Sequence, residues 1–366
     1  MKQYRLRLTL LGPLGTGLTG DTLFGHLCWG IVYHAGRAAL EDFLARMASA
    51  QPPLVIGDPV PAGFLPNPAL PPPGQDERED LEKLCLEVLQ EEHRRRQESL
   101  GAGERAGHPP GLPEVHDRLK RLAKAPWVPG EVLADCLDDL RAGTLLKALL
   151  QRQRRLGRDS VEPPRLQVRT VMHNTINRFT QHPSTEGGLF ALREYFPPGP
   201  RMDFDLYLLS SLPAGRIVEL FRWGLAGGYG RDASTGRGRL EVGELDESPW
   251  PAASQPNAVL ALGTFSPSAH DPAAGTWRLT VRLGKLGGAW SGDPEGPDHP
   301  FKYPLTLLCA GAVLGPPGRP YLGRVVPGVH PIRREVVTCA MAPVLPVRCP
   351  VLGPASREVQ SCPPIT

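Results

Sequence analysis

The chain has 366 residues, enough for two domains with cores of their own. With 41% hydrophobic residues beside 41 glycines and 42 prolines, it reads as a globular protein rich in loops rather than a disordered one. The formal net charge is only +3, yet residues 141–239 hold 16 Arg and Lys against 8 acids, and 15 of the 16 are arginine. Such a segment points to a phosphate-bearing partner, with a merely solvated surface as the alternative. The seven cysteines are dispersed and show no CxxC, which fits a reduced, cytoplasmic protein and speaks against a zinc site. No apolar run of eighteen residues offers a membrane span, and the first dozen residues do not read as a signal peptide.

The first predicted strand is about Gln3–Leu11, where Tyr4, Leu6, Leu8 and Leu10 alternate with Arg5, Arg7 and Thr9. Gly15, Gly17 and Gly20 follow in a G-x-G-x-x-G match, ahead of a helix over about Gly20–His34. A dinucleotide loop would need a second buried strand about thirty residues on, ending in an acid. Instead the helical pattern resumes after Gly36 through Leu40, Phe43, Leu44 and Met47, with Glu41 and Asp42 inside it. No βαβαβ alternation follows, so a nicotinamide enzyme is disfavoured. On α-helical spacing, Thr22, His26, Trp29 and Tyr33 fall opposite the core stripe centred between Leu23 and Phe24. That face is expected to meet RNA, the second domain or a partner subunit.

A short strand near Leu54–Ile56 leads into a proline-rich exit. Residues 75–160 read as a largely helical insertion: a helix over about Asp76–Ser99, a flexible loop closing in "GAGERAGHPPG", and a helical block over Glu131–Leu156. From Arg165 the pattern turns to strands: "RLQVRTVMHNTINRF", "LFALREYF" and "MDFDLYLLS". A helix over about Pro213–Leu225, a second glycine cluster and "RGRLEV" complete the half. Residues 257–366 read as short strands between Pro/Gly turns. With the insertion removed, residues 1–242 approximate the βαββαβ order of RNA-recognition folds. The expected class is therefore α+β, a modified ferredoxin-like (RRM-like) N-terminal domain with a helical insertion, plus a β-rich second domain over 257–366.

The second cluster, "GLAGGYGRDASTGRGRLEV", places Gly228, Gly230, Gly236 and Gly238 among Arg231, Arg237 and Arg239, with Ser234 and Thr235 supplying hydroxyls. It lacks the lysine and spacing of a nucleotide P-loop. Turned backbone N–H groups flanked by guanidinium forks suit a polyphosphate chain, and an ordinary long turn is the alternative. In residues 168–196, His173, Asn174, Asn177 and Arg178 carry edges that read bases or 2′-hydroxyls, close to Phe179, Phe190, Tyr195 and Phe196, whose faces stack on splayed bases.

Four motifs in order, "GDTLFGHLCW", "FLPNP", "HNTINR…EGGLF…E" and "GGYGRDASTGRGR", resemble the RAMP-superfamily proteins of CRISPR systems. The resemblance is closest to the type III-A (Csm) subunit that holds the 5′ handle of the guide RNA. It covers about residues 1–242 and is weak over 257–366. It implies a non-catalytic RNA-binding subunit that grips the handle and docks against the large polymerase-domain subunit and the backbone RAMP subunits, meeting target RNA only indirectly. It also implies phosphate contacts from Arg231, Arg237 and Arg239, and a hairpin thumb in about Phe179–Ala191 with Leu189 or Phe190 as wedge. Gly17, Thr19, Gly20, Thr22 and His26 would form the first half of the RNA site, since a helix N-terminus favours phosphate. The alternative is a metal-independent endoribonuclease acting through His26 or His173. The loop after the first strand carries no acid before Asp21, and no carboxylate cluster could hold two metals. No metal or cofactor is expected.

Overall fold

The computed structural model describes residues 1–99, 108–174, 176, 182, 188–290 and 300–352. The chain opens β1 (Lys2–Leu10), α1 (Gly20–Ala35), α2 (Arg37–Met47), β2 (Leu54–Ile56), β3 (Val60–Pro61) and β4 (Phe64–Pro66). Next come α3 (Gln75–Ser99), α4 (Leu112–Lys124), β5 (Trp127–Pro129), α5 (Gly130–Asp135) and α6 (Ala142–Leu156). The first half closes with β6 (Gln167–Asn174), β7 (Leu189–Phe196), β8 (Met202–Ser210), α7 (Ala214–Leu225) and β9 (Leu240–Asp246).

β1 obeys its alternation: Tyr4, Leu6, Leu8 and Leu10 are buried. It lies between β8 and β9, giving the order β2-β8-β1-β9 with every neighbouring pair antiparallel. α1 joins β1 toward β2, and α7 joins β8 to β9. The two helices meet at Gly30 and Gly224, where a Cβ on Gly30 would fall 2.6 Å from the Gly224 nitrogen. Only glycine lets the two backbones come this close. On the other face of the sheet the charges neutralise one another: Arg7 Nε donates to Asp205 Oδ1 (2.8 Å) and Arg5 pairs with Asp246 (3.0 Å).

Residues 75–160, read above as an insertion, are largely helical, with two departures from expectation. The Glu131–Leu156 block is not continuous: α5 stops at Asp135, a 3-10 turn spans Leu137–Asp139, and α6 restarts at Ala142. The cause is remote in sequence. Leu140 N–H donates to the Arg348 carbonyl and Arg348 N–H to the Leu137 carbonyl, both at 2.8 Å, which takes these groups out of any helical ladder. The additional helix α4 follows the "GAGERAGHPPG" segment, whose residues 101–107 lie outside the described residues. Its first turn is closed by Glu114, whose carboxylate accepts the Gly111 N–H at 2.9 Å.

The second half contains β10 (Ala258–Ala261), β11 (Gly275–Thr276), β12 (Leu279–Arg282), β13 (Leu305–Leu308), β14 (Val313–Leu314), β15 (Tyr321–Val326) and β16 (Thr338–Val347). Five of these form an antiparallel sheet ordered β11-β14-β10-β16-β15, while β12 and β13 pair as a separate ribbon. Along β10, Ala258 and Leu260 join the core shared with the first half, and Val259 and Ala261 join a second cluster around Phe265 and Leu322. This sheet is therefore buried on both faces, which explains its continuous apolar runs. The shared core extends from Tyr4 to Cys349, so the two halves are packed together. Asp58 reinforces that packing: Oδ1 accepts Gly20 N–H (2.8 Å), and Oδ2 accepts the N–H (2.8 Å) and hydroxyl (2.6 Å) of Thr264. Burial raises the pKa of this carboxyl, against the lowering effect of the same hydrogen bonds. The fold is mixed α+β. Among the described residues no helix is long and apolar enough to cross a membrane.

Candidate nucleic-acid interface

The two glycine clusters, more than two hundred residues apart in sequence, form one structure. At its centre is Tyr229, fully buried in the second cluster. Its hydroxyl donates to the Gly17 carbonyl (2.8 Å) and accepts the Thr19 N–H (3.0 Å). Burial pushes the Tyr229 pKa up to about 12, so the phenol stays protonated and able to donate. Around it, Gly238 N–H donates to Pro13 O (2.8 Å), Arg231 N–H to Thr16 Oγ1 (3.1 Å) and Leu11 N–H to Arg239 O (2.9 Å).

Gly228, Gly230, Gly236 and Gly238 all have positive φ, between 67° and 88°. A side chain at Gly238 would also overlap the Tyr229 carbonyl. These glycines are therefore required by the turn itself. Asp232, at φ 62°, is the one non-glycine residue with positive φ among those described, and its carboxylate accepts Arg231 Nε at 3.0 Å.

In the first cluster Thr19 and Gly20 are buried. The Gly20 N–H, expected to face a phosphate, donates to Asp58, so the anion at that point is the chain's own carboxylate. Gly20 is small because Gly57 O would lie 2.5 Å from its Cβ. Thr19 Oγ1 pairs with Asp21 Oδ1 (2.5 Å) and with the Thr22 hydroxyl (3.0 Å). His26 Nε2 accepts the Gly230 N–H at 2.9 Å while its ring packs on Tyr229. Burial lowers the His26 pKa, partly offset by a backbone hydrogen bond with Gly224. Its lone pair is thus committed to the loop. Further along the same face, Trp29 packs edge-on against Trp290 at 5.4 Å, so this part of the helix meets the second half of the chain.

β6 and β7 form a hairpin that stands apart from the main sheet, with His173 opposite Phe190 and Asn174 opposite Leu189. It is tied to the first loop by two Leu14–Tyr195 backbone bonds of 2.9 Å. Buried Glu194 ties it to the second: Oε1 accepts Arg237 Nε (3.1 Å) and Nη2 (2.9 Å) and lies 3.1 Å from His173 Nε2. His173 also stacks on Phe190 at 5.6 Å and 17°. Arg237 therefore holds the hairpin to the loop, while Arg231 and Arg239 are exposed, as are Gly17, Asn174, Phe190, Ser234 and Gly236. Arg193, also exposed, lends its carbonyl to Arg231 Nη2 at 3.0 Å. Asn177, Arg178 and Phe179 lie outside the described residues. Of the Phe179–Ala191 span, His182 and residues 188–191 are described, and Leu189 and Phe190 are exposed.

Sequence reasoning missed Tyr229, Glu194 and Asp58. Tyr229 carried a readable signal: in a chain with only 6% aromatics, one stands alone within a glycine loop.

No family model and no curated protein matches the chain. Solved structures of the Csm1–Csm4 cassette contain a chain of similar fold. In the complex with AMPPNP the TM-score is 0.51 at 17% identity, over 96% of this chain and 99% of that one. In the complex with cA4 it is 0.51 at 18% identity, over 94% and 99%. In the complex with pppApA it is 0.50 at 16% identity, over 96% and 99%. At such identity the likeness is one of fold, and it is consistent with the type III-A resemblance of the four motifs. It also spans the second half, which those motifs leave uncovered.

Proposed function

We propose that the chain is a non-catalytic RNA-binding subunit of a type III CRISPR interference complex, gripping the 5′ handle of the guide RNA and docking on the large polymerase-domain subunit. The observation that carries this reading is the joining of both glycine loops and the hairpin root by hydrogen bonds into one surface, with Arg193, Arg231 and Arg239 exposed around it. Exposed guanidinium forks supply phosphate contacts, and Phe190 stacked on His173 supplies an aromatic face for a base. The antiparallel order β2-β8-β1-β9, with α1 and α7 as crossovers, supports a ferredoxin-like reading of residues 1–242 with 75–160 as insertion. We take 257–366 as the second domain. The shared fold with a chain of the Csm1–Csm4 cassette supports a large-subunit partner. The occupied lone pair of His26 supports the non-catalytic assignment, since a general base needs that pair free.

The test is to purify the tagged chain from its host at low salt and sequence the RNA that accompanies it. Short RNAs sharing one repeat-derived 5′ end, together with other effector subunits, are the expected result. Bound precursor that is trimmed on incubation without metal would replace this reading with a processing nuclease. An eluate free of RNA and partners would overturn both.

A further inference from the structure

A half-buried guanidinium in the second half of the chain stands without an acceptor. On β12, Thr280 and Arg282 share one face of the strand, and Arg278, just before it, falls on the same side. Lys302 joins them from the return strand, where a Cβ on Gly284 would lie 3.2 Å from its Cδ. This face looks toward the first half, since Arg278 Nη2 donates to the Asn67 carbonyl at 2.8 Å. Lys302 Nζ donates to Val337 O (3.0 Å) and Thr338 Oγ1 (3.1 Å). Arg282 lies along the ribbon between these two satisfied cations. Its Nε is sealed from solvent, and among the described residues no hydrogen bond or ion pair reaches its guanidinium. Arg152, Arg237 and Arg319, also half-buried, each hold a carboxylate. A buried donor without a partner costs free energy, so Arg282 calls for an acceptor.

The nearest anion does not fill that role. Burial raises the Asp58 pKa, and the positive charge of Arg282 lowers it, after the bonds from Gly20 and Thr264. Arg282 is thus close to Asp58, yet no ion pair forms, and both Asp58 oxygens already accept donors from Gly20 and Thr264. The Arg282 fork sits unspent beside the start of α1 and the first glycine loop. Residues 275–290 and 300–308 hold Arg278, Arg282, Lys285 and Lys302 and no Asp or Glu, so the local charge suits an anion.

We infer that Arg282 binds a backbone phosphate of the RNA held at the glycine loops, so that the RNA surface continues across the seam between the halves onto the inner face of β12. The inference rests on the functional reading above and adds to it a contact from the second half of the chain. A guanidinium and a phosphodiester match through two parallel hydrogen bonds. An acidic protein side chain offers similar acceptor chemistry, and the position beside the first glycine loop favours RNA.

The test uses the full-length chain with Arg282→Met, which keeps the stem and removes the charge, and with Arg282→Lys, which keeps the charge without the fork. The probe is a synthetic RNA carrying the repeat-derived 5′ handle of the host. Arg282→Met should lower RNA affinity roughly tenfold or more and flatten the slope of log K against log salt by about 0.7. Arg282→Lys should restore the slope but only part of the affinity. Without RNA, Arg282→Met should melt at or above the wild-type temperature, because an unpaired guanidinium is gone. Handle RNAs with a single neutral methylphosphonate linkage locate the contact: at one linkage, the loss seen with wild type should vanish in Arg282→Met. Wild-type affinity and slope in Arg282→Met overturn the inference. So does a lower melting temperature with unchanged RNA binding, since Arg282 is then a counter-charge for Asp58. Unchanged RNA binding with weaker binding to the purified large subunit of the host overturns it too, because the acceptor is then a protein carboxylate. Each of these leaves the functional reading standing, whereas a wild-type chain that binds no handle RNA overturns both.

Discussion

His26 Nε2 and the Gly230 N–H lie 2.9 Å apart, and this one hydrogen bond joins the middle of α1 to the second glycine loop. Only neutral imidazole can accept it. Because burial lowers the His26 pKa below its ordinary 6.5, the unfolded chain binds a proton that the folded chain refuses. The contribution of His26 to stability is therefore complete above about 6.5 and declines as pH falls through the lowered folded value. Thermal unfolding followed between about pH 7 and pH 5 should fall more steeply for wild type than for His26→Gln, whose amide oxygen accepts at every pH. Parallel curves would rule out this acceptor role.

Tyr229→Phe removes a hydroxyl that serves two backbone groups at once. Thr19 N–H and Gly17 O then lose their partner, and a buried unsatisfied group costs about 1–3 kcal/mol. Chemical denaturation should show a loss of that size, accompanied by weaker RNA binding as the two loops separate. A stable variant with unchanged RNA affinity would place the coupling of the loops elsewhere.

Glycines in the two clusters should differ sharply in tolerance. Gly238→Ala combines a positive φ of 67° with overlap onto the Tyr229 carbonyl and should unfold the loop or the chain. Gly17→Ala meets no atom within 4 Å and sits exposed, so its stability should stay within about 0.5 kcal/mol of wild type. Soluble expression and melting temperature separate the two cases.

The loop arginines divide by role. Arg237→Ala strips buried Glu194 of its main counter-charge and should cost on the order of 3 kcal/mol, visible as a lower melting temperature without RNA present. Arg231→Ala with Arg239→Ala removes exposed guanidinium groups, loses only the exposed Arg231 bonds to Asp232 and the Arg193 carbonyl, and should cost no more than about 1 kcal/mol. RNA affinity should fall, and the slope of log K against log salt should flatten by roughly 0.7 per lost phosphate contact. An unaltered slope would remove both residues from the RNA surface.

What could be read in the sequence was what local periodicity encodes. β1, β8 and α1 announce themselves because alternation and 3.6-residue spacing are properties of neighbouring residues. The break between α5 and α6 does not, because Arg348 imposes it from two hundred residues away. The glycine clusters stand out in the sequence, and the structure gives part of them a reason that involves no ligand. Gly20 and Gly238 are small because backbone packs against them, at Gly57 and Tyr229, before any ligand is considered. Glu194 was hidden for a related reason: an acid in an arginine-rich strand looks like surface charge until the partner loop folds over it.

The strand that begins the described sheet waits long for its partners. Both neighbours of β1, at Met202–Ser210 and Leu240–Asp246, lie about two hundred residues downstream. At a synthesis rate of ~5–20 residues per second, β1 waits on the order of 10–40 s for a partner, its row of Leu6, Leu8 and Leu10 uncovered. Such long-range pairing slows folding and leaves sticky edges available to other chains. Yield in the cell should therefore depend on what shields this segment while the ribosome is still working, as much as on the stability of the finished protein.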